Sequence, residues 1–324
     1  MRFGTRLAVI VGVISAAAYG QAPLAKAACD RTCLEGYMDR YLKAMLNQDV
    51  SDDLFARNVR FTENGIELPL GKEGLWWGMS GLGGYRFYVP DIETQQVAMI
   101  GTVKENMGNG GVNDDKGSNV AVAIRLKLVA GKITEVEQLA IRPAVQLGGP
   151  AGRGAAPATP PLSTGDRVAQ MTKPHAVYFE TIPEKERASR EELVISANHY
   201  FTALARHDSK GYYPFTTDCL RFENGFVTTD DCLKQFTGTS LNGIVNRIRD
   251  RRFVAVDRER GIVFAFGFFD HYRINWTWQL AELFKIENGK IRRIEAVFHQ
   301  APFGIPSGWS TFQQSISEDI QSVR

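Results

Sequence analysis

Glu63-Asn64-Gly65 returns as Glu223-Asn224-Gly225, and Gly131-Lys132-Ile133 returns as Gly289-Lys290-Ile291. The two landmarks stand 66 residues apart the first time (Gly65 to Gly131) and 64 the second (Gly225 to Gly289). Tyr41 lies 24 residues before Gly65 and Tyr200 lies 25 before Gly225, with Asp49 and Asp208 following in the same order. Four matched landmarks at near-constant spacing mark a duplicated domain. One architecture has to be satisfied twice, and the copies can be compared position by position. A chain of 324 residues suits two cores of roughly 130 residues, each able to bury an interior without staples.

The first residues read as a targeting segment. Arg2 and Arg6 precede the apolar run from Leu7 to Ala18, and Ala25-Lys26-Ala27 places small residues where a signal peptidase cuts. The run is short for a membrane span. The expectation is a signal peptide over 1–27 and a periplasmic or secreted chain from Ala28. A lipid anchor on Cys29 is the rival, opposed by a lysine where a lipobox carries an aliphatic residue. Four cysteines in an exported chain read as disulfides. Local pairing favours Cys29–Cys33 and Cys219–Cys232, the second closing a loop of about 14 residues, worth about 3 kcal/mol. Neither pair has metal-site spacing or a nearby histidine, so no metal is expected. A net charge of +2 gives no bulk field for nucleic acid or an anionic membrane. The basic run Arg247-Ile248-Arg249-Asp250-Arg251-Arg252 reads as a solvated turn rather than a phosphate grip.

Each copy starts with an amphipathic helix, Leu34 to Leu46 and Glu191 to Arg206, each with one apolar stripe. An Asn-Gly hairpin follows in each, since both residues accept positive φ. A short helix comes next, over Gly71–Met79 and, capped by Thr229 or Asp230, through Phe236. Long strands are expected at Glu93–Val103, Asn119–Val129 and Lys132–Ile141. In the second copy they are expected near Arg252–Asp257, Ile262–His271, Ile274–Ile286 and Lys290–Gln300. Residues 106–117 read as a mobile loop. The domain reading is 28–142, a Pro/Gly/Ala-rich linker over 143–187, a second domain over 188–310 and a tail over 311–324. The fold class is α+β: two tandem cone-shaped domains, each a curved, mostly antiparallel sheet wrapped round N-terminal helices.

This order resembles the cone fold of nuclear transport factor and ketosteroid isomerase relatives, often called SnoaL-like. More narrowly, the chain resembles secreted tandem-domain proteins of unassigned function. The resemblance rests on Cys29-Asp30-Arg31-Thr32-Cys33, Arg221-Phe222-Glu223-Asn224-Gly225, Phe268-Phe269-Asp270-His271 and the tail from Ala296 to Trp309. It implies the fold; it maps no catalytic set, because this fold hosts isomerases, dehydratases, cyclases, hydrolases and plain binders.

The copies differ most where chemistry would sit. All five histidines lie in the second copy or just before it. Glu282 falls in the row Ile274, Trp276, Trp278, Leu280, Glu282, Phe284, Ile286, an acid on an apolar side. Desolvation raises such a pKa, as a general acid or base needs. The Gly-Lys-Ile register puts Ile124 at its place in the first copy. Asp270 and His271 end a very apolar strand on opposite sides, and His299 and Glu223 complete the candidates for proton transfer. Trp276 and Trp278 with Phe264, Phe266 and Phe268 read as the walls of an apolar cavity. Nucleophile-elbow, P-loop, dinucleotide and zinc-protease motifs are missing.

The expectation is therefore an exported, cofactor-free enzyme of the isomerase, dehydratase or lyase type acting on a small hydrophobic or aromatic molecule. Glu282 would be the acid or base, with Asp270, His271 or His299 as its complement. Two rivals remain: a non-catalytic ligand carrier, and a structural pseudo-dimer. Such cones commonly pair through their sheets, so a homodimer through sheet faces is a further expectation.

Overall fold

The structure is a computed structural model, and it describes residues 1, 28–109, 112–143, 161–206, 208, 211–238 and 245–321. The expected signal peptide beyond Met1, most of the Pro/Gly/Ala-rich stretch and His207 lie outside the described residues.

The first unit contains α1 (Arg31–Leu46), β1 (Phe55–Glu63), β2 (Ile66–Glu67), α2 (Leu75–Gly78), β3 (Met79–Asp91), β4 (Gln96–Glu105), β5 (Ser118–Val129) and β6 (Lys132–Ile141). After α3 (Thr164–Gln170), the second unit contains α4 (Arg190–Arg206), β7 (Phe215–Glu223), β8 (Phe226–Thr229), α5 (Cys232–Thr237), β9 (Arg247–Asp257), β10 (Ile262–His271), β11 (Trp276–Glu287) and β12 (Lys290–Pro302). The chain ends with α6 (Phe312–Ile316) and β13 (Ile320–Gln321). The first sheet runs β2-β1-β6-β5-β4-β3 and the second β13-β9-β10-β11-β12-β7-β8. The α+β class is as expected, and most neighbours are antiparallel. In each unit the strand after the leading helix joins the last long strand in parallel, β1 with β6 and β7 with β12.

Local chemistry sets these elements. Asp30 caps α1 by accepting from Cys33 N, and the helix buries Leu34, Met38, Tyr41, Leu42 and Met45. The two Asn-Gly turns have φ of 51° and 82° (Asn64, Gly65) and 50° and 81° (Asn224, Gly225). Both cysteine pairs form the expected disulfides. Asp231, not Thr229 or Asp230, caps α5.

Three cores follow from this order. One lies between α1 and the inner face of the first sheet, and one between α4 and the inner face of the second. The third lies between the two outer sheet faces, joining Phe87, Ile100 and Leu139 to Phe264, Phe266 and Leu283. The faces expected to pair between chains thus cover each other within one chain. Reciprocal ion pairs clamp the halves: Arg31 of α1 grips Asp257 at 2.7 and 2.8 Å, and Arg190 of α4 pairs with Asp91. Between the sheets, Arg252 holds Glu137 through two 2.7 Å bonds, and Tyr85 Oη donates to Glu295 at 2.6 Å.

Three expectations need correction. Strand β3 is absent from the sequence reading, because Gly81, Gly83, Gly84 and Pro90 dilute its strand signal. The run Arg247–Arg252 is no solvated turn. It lies in β9, where Arg249, Asp250, Arg251 and Arg252 are at most 4% exposed. Their charges are met by Asp270, Glu137 and carbonyls of the tail, so burial is tolerated. The stretch 161–187, read as linker, carries α3 and two 3-10 turns, and buries Val168 and Tyr178 between the sheets.

Candidate acid–base site

Glu282 stands midway along β11 and points into the interior of the second unit. Across the sheet its neighbours are Ala265 of β10 on one side and Ala296 of β12 on the other, and Ala296 is followed by Glu223 of β7. The matching row of the first unit is Met99, Ile124, Gln138 and Glu63. Alanine therefore flanks the acid where the first unit carries methionine and glutamine.

The surroundings of the carboxyl are assembled from three elements. Tyr200 comes from α4, Arg221 and Glu223 from β7, and Gln235 from α5. Arg221 Nε donates to Tyr200 Oη at 3.0 Å and its Nη1 donates to Gln235 Oε1 at 3.0 Å, while Nη2 meets the Glu223 carboxylate. The Cys219–Cys232 disulfide joins β7 to the first residue of α5 and so holds Arg221 and Gln235 in reach of each other. Glu282 itself is 1% exposed, and among the described residues neither of its oxygens has an aligned hydrogen-bond partner. Burial pushes its pKa up to about 8; Arg221 and the nearby Tyr200 hydroxyl draw it back, and Glu223 adds to the rise. Burial likewise raises Glu223, with Arg221 opposing. Burial thus favours the protonated form of Glu282, and the Arg221 charge opposes that shift.

The first unit satisfies the equivalent space completely. Tyr41 Oη donates to Gln138 Oε1 at 2.9 Å, Trp76 Nε1 donates to Tyr41 Oη at 3.1 Å, and Gln138 Nε2 donates to Glu63 at 3.0 Å. Glu63 also accepts from Leu75 N at 2.8 Å and pairs with Arg142 at 2.7 Å. Glu63 therefore anchors α2 beyond marking a turn.

The expected complements of Glu282 do not meet it. Asp270 faces the other way, toward the first unit, where Arg247, Arg249 and Thr277 saturate its carboxylate. His271 shares the inner face with Glu282, but the ladder places it opposite Trp276, six residues along the sheet from Ala265. That is about 20 Å. There it packs on Trp278 at 4.3 Å, and Trp278 stacks on Phe298 at 4.8 Å. His299 lies on the outer face with its Nε2 3.1 Å from the Gln279 amide, which also reaches the Asn64-Gly65 turn of the first unit. Burial lowers its pKa.

The expected aromatic walls also separate. Phe264 and Phe266 belong to the core between the sheets, and Phe268 lies under the Arg249 guanidinium at 4.5 Å. Trp278 belongs to the inner core. A single cavity lined by all five rings is excluded by the alternation of strand faces. Sequence reasoning missed Tyr200, Arg221, Gln235 and Phe236. One signal was present: Arg221 occupies the place of Phe61 in the Glu-Asn-Gly register, an arginine at an apolar position. Among the described residues no group of three or more His, Cys, Asp or Glu side chains is arranged to hold a metal.

Comparisons add little to this geometry. Residues 186–298 match the model of a family described as "Domain of unknown function (DUF8021)". No curated protein matches. Among solved structures, a de novo designed protein with curved β-sheet is 18% identical, covers 35% of this chain and 88% of its own, and has a TM-score of 0.28. An NTF-2 like protein of unknown function from Burkholderia xenovorans LB400 is 15% identical, covers 37% of this chain and 94% of its own, and has a TM-score of 0.29. At these scores neither likeness carries an argument about function.

Proposed function

We propose that the second unit is a cofactor-free acid–base site for a small, neutral, apolar or aromatic molecule, with Glu282 as the proton-transferring group. One observation carries this reading: a fully buried carboxyl without an aligned partner, flanked by alanines where the other copy has a closed polar network. An unsatisfied buried carboxyl costs stability, so its presence asks for a use. Holding its proton to about pH 8, Glu282 donates to an oxygen of a bound carbonyl or alcohol, and the conjugate base takes a proton back from carbon. Arg221 supplies the positive charge that supports the ionised form during the cycle. Isomerisation and dehydration fit this chemistry, and fold-level analogy with ketosteroid isomerase points the same way. We also propose that the protein is exported, which its two disulfides support. Among the described residues no helix is long and apolar enough to cross a membrane.

The test is α-proton exchange into neutral cyclic ketones, cyclohexanone and 2-tetralone, followed by NMR in D2O. Wild-type protein is expected to exceed buffer, and Glu282→Gln to lose at least a hundredfold of that rate. Equal exchange by both proteins overturns the reading. A purely structural pseudo-dimer is the second reading, favoured by the mutual burial of the two outer sheet faces. It predicts no exchange with either ketone.

A further inference from the structure

The short helix after the hairpin closes each interior, and the two closures differ. In the first unit Trp76 of α2 packs on Tyr41 at 5.6 Å and donates its indole N–H to that hydroxyl. The Glu-Asn-Gly register places Phe236 of α5 at the same position in the second unit. Phe236 packs on Tyr200 at 5.1 Å and on Phe215 at 5.0 Å, and lies 6.0 Å from the Arg221 guanidinium. It thus covers the two groups next to Glu282. A phenyl ring is smaller than an indole and has no N–H, so nothing bonds it to Tyr200. The tyrosine hydroxyl accepts from Arg221 instead.

The anchoring differs as well. Helix α2 is tied at its start by Leu75 N to the buried Glu63, deep in the closed network. Helix α5 is tied at its start by the Cys219–Cys232 bond and further along by Gln235, which accepts from Arg221 at 3.0 Å and donates to Thr228 O at 3.4 Å, with Leu233 and Lys234 exposed on its outer side. A covalent pivot at Cys232, a polar latch at Gln235 with bonds to Arg221 and Thr228, and an unbonded ring at Phe236 describe a hinged element. On the site's inner flank the exchanges run from large to small, Met99 to Ala265 and Gln138 to Ala296.

Building on the acid–base reading, we propose that α5 is the gate of the second unit and that Phe236 sets the size of the ligand by occupying its place when the site is empty. Opening breaks the bonds of Gln235 to Arg221 and Thr228 and withdraws Phe236 while the disulfide keeps α5 attached to β7. The ligand's ring takes the space against Tyr200, and Arg221 keeps its bonds to Tyr200 and Glu223.

The experiment uses the full oxidised chain and the same probes, cyclohexanone and 2-tetralone, with binding read by saturation-transfer NMR. Phe236→Trp rebuilds the closure of the first unit and is expected to weaken 2-tetralone binding at least tenfold without loss of thermal stability. Phe236→Ala, with Phe236→Leu as the milder variant should the first fail to fold, is expected to bind 2-tetralone at least as tightly as wild type. Hydrogen exchange gives a reading independent of any ligand. Amides of α5 are expected to exchange at least tenfold faster than those of α2, and Phe236→Trp to remove the difference. Binding that follows residue 236 without ketone exchange keeps the gate and sinks the acid–base reading. Ketone exchange that Phe236→Trp leaves unchanged does the reverse. No binding by wild type and by the folded alanine or leucine variant overturns the gate, as does α5 exchange equal to that of α2.

Discussion

Replacing Glu282 with glutamine is expected to leave stability nearly unchanged at pH 5 and to raise it at pH 9. The reasoning starts from a carboxyl with a pKa of about 8 in the fold and 4.5 in the open chain. Between those values the native protein holds a proton that the unfolded chain has released. Stability associated with that proton is fully present below pH 4.5 and is lost as pH rises through about 8. Each pH unit in the window removes about 1.4 kcal/mol, so the loss is about 5 kcal/mol by pH 9. Glutamine has the shape of the protonated acid and does not ionise. The variant therefore matches wild type within about 1 kcal/mol at pH 5 and exceeds it by several at pH 9. Glu295, raised to about 7 by its burial between the sheets, contributes the same sign from 4.5 to about 7. It is present in both proteins and cancels in the difference. The assay is urea unfolding followed by tryptophan fluorescence at pH 5, 7 and 9, comparing midpoints at equal slope. A difference that stays constant from pH 5 to 9 would show Glu282 to be ionised beside Arg221 throughout, and would remove the neutral acid on which the proposed chemistry depends.

Arg252→Met takes from buried Glu137 its two hydrogen bonds, leaving Arg125 at 3.6 Å as its cation, and takes from buried Asp250 its partner at 3.2 Å; it is expected to cost about 3 kcal/mol, of which the double variant with Glu137→Gln recovers the share due to Glu137. Urea midpoints for both decide the matter, and an unchanged single variant contradicts the role given to this pair. Tyr85→Phe removes the donor that stabilises ionised Glu295, so it raises that pKa further and costs about 1–3 kcal/mol. The carboxyl resonance of Glu295 in a 13C titration reports the shift, and a titration midpoint at or below that of wild type counts against it.

Much of the fold was legible because the repeat repeats its punctuation. The turn at Asn64-Gly65 and its twin at Asn224-Gly225 need positive φ, and their residues announce it. Glu282 was legible because an acid in a row of Trp, Leu, Phe and Ile contradicts its neighbours. What alternation cannot say is which face of a strand looks where. Every residue of β10 is buried, since an inner core presses on one side and a second sheet on the other. Phe264, Phe266 and Phe268 therefore read like cavity walls while packing on another sheet. The arginines of β9 were misread for the converse reason. Their partners, Glu137, Asp270 and the tail carbonyls, lie tens of residues away, and only the folded chain brings them into range. Tyr200 reads as a repeat landmark and Arg221 as one arginine at an apolar position; the bond that gives both their place in the site exists only in the folded chain.

The reciprocal clamp of Arg31 on Asp257 and Arg190 on Asp91 gives the molecule the form of a twofold dimer held in one chain. In a dimer of identical chains the symmetry axis writes every substitution on both sides, and an acid placed in one interior is placed in the other. A single chain escapes that rule. One half can give up its hollow to a tryptophan and a glutamine and serve as ballast for the joint. The other half is then free to keep an uncomfortable carboxyl, because the stability of the whole no longer has to be supplied by the half that carries it.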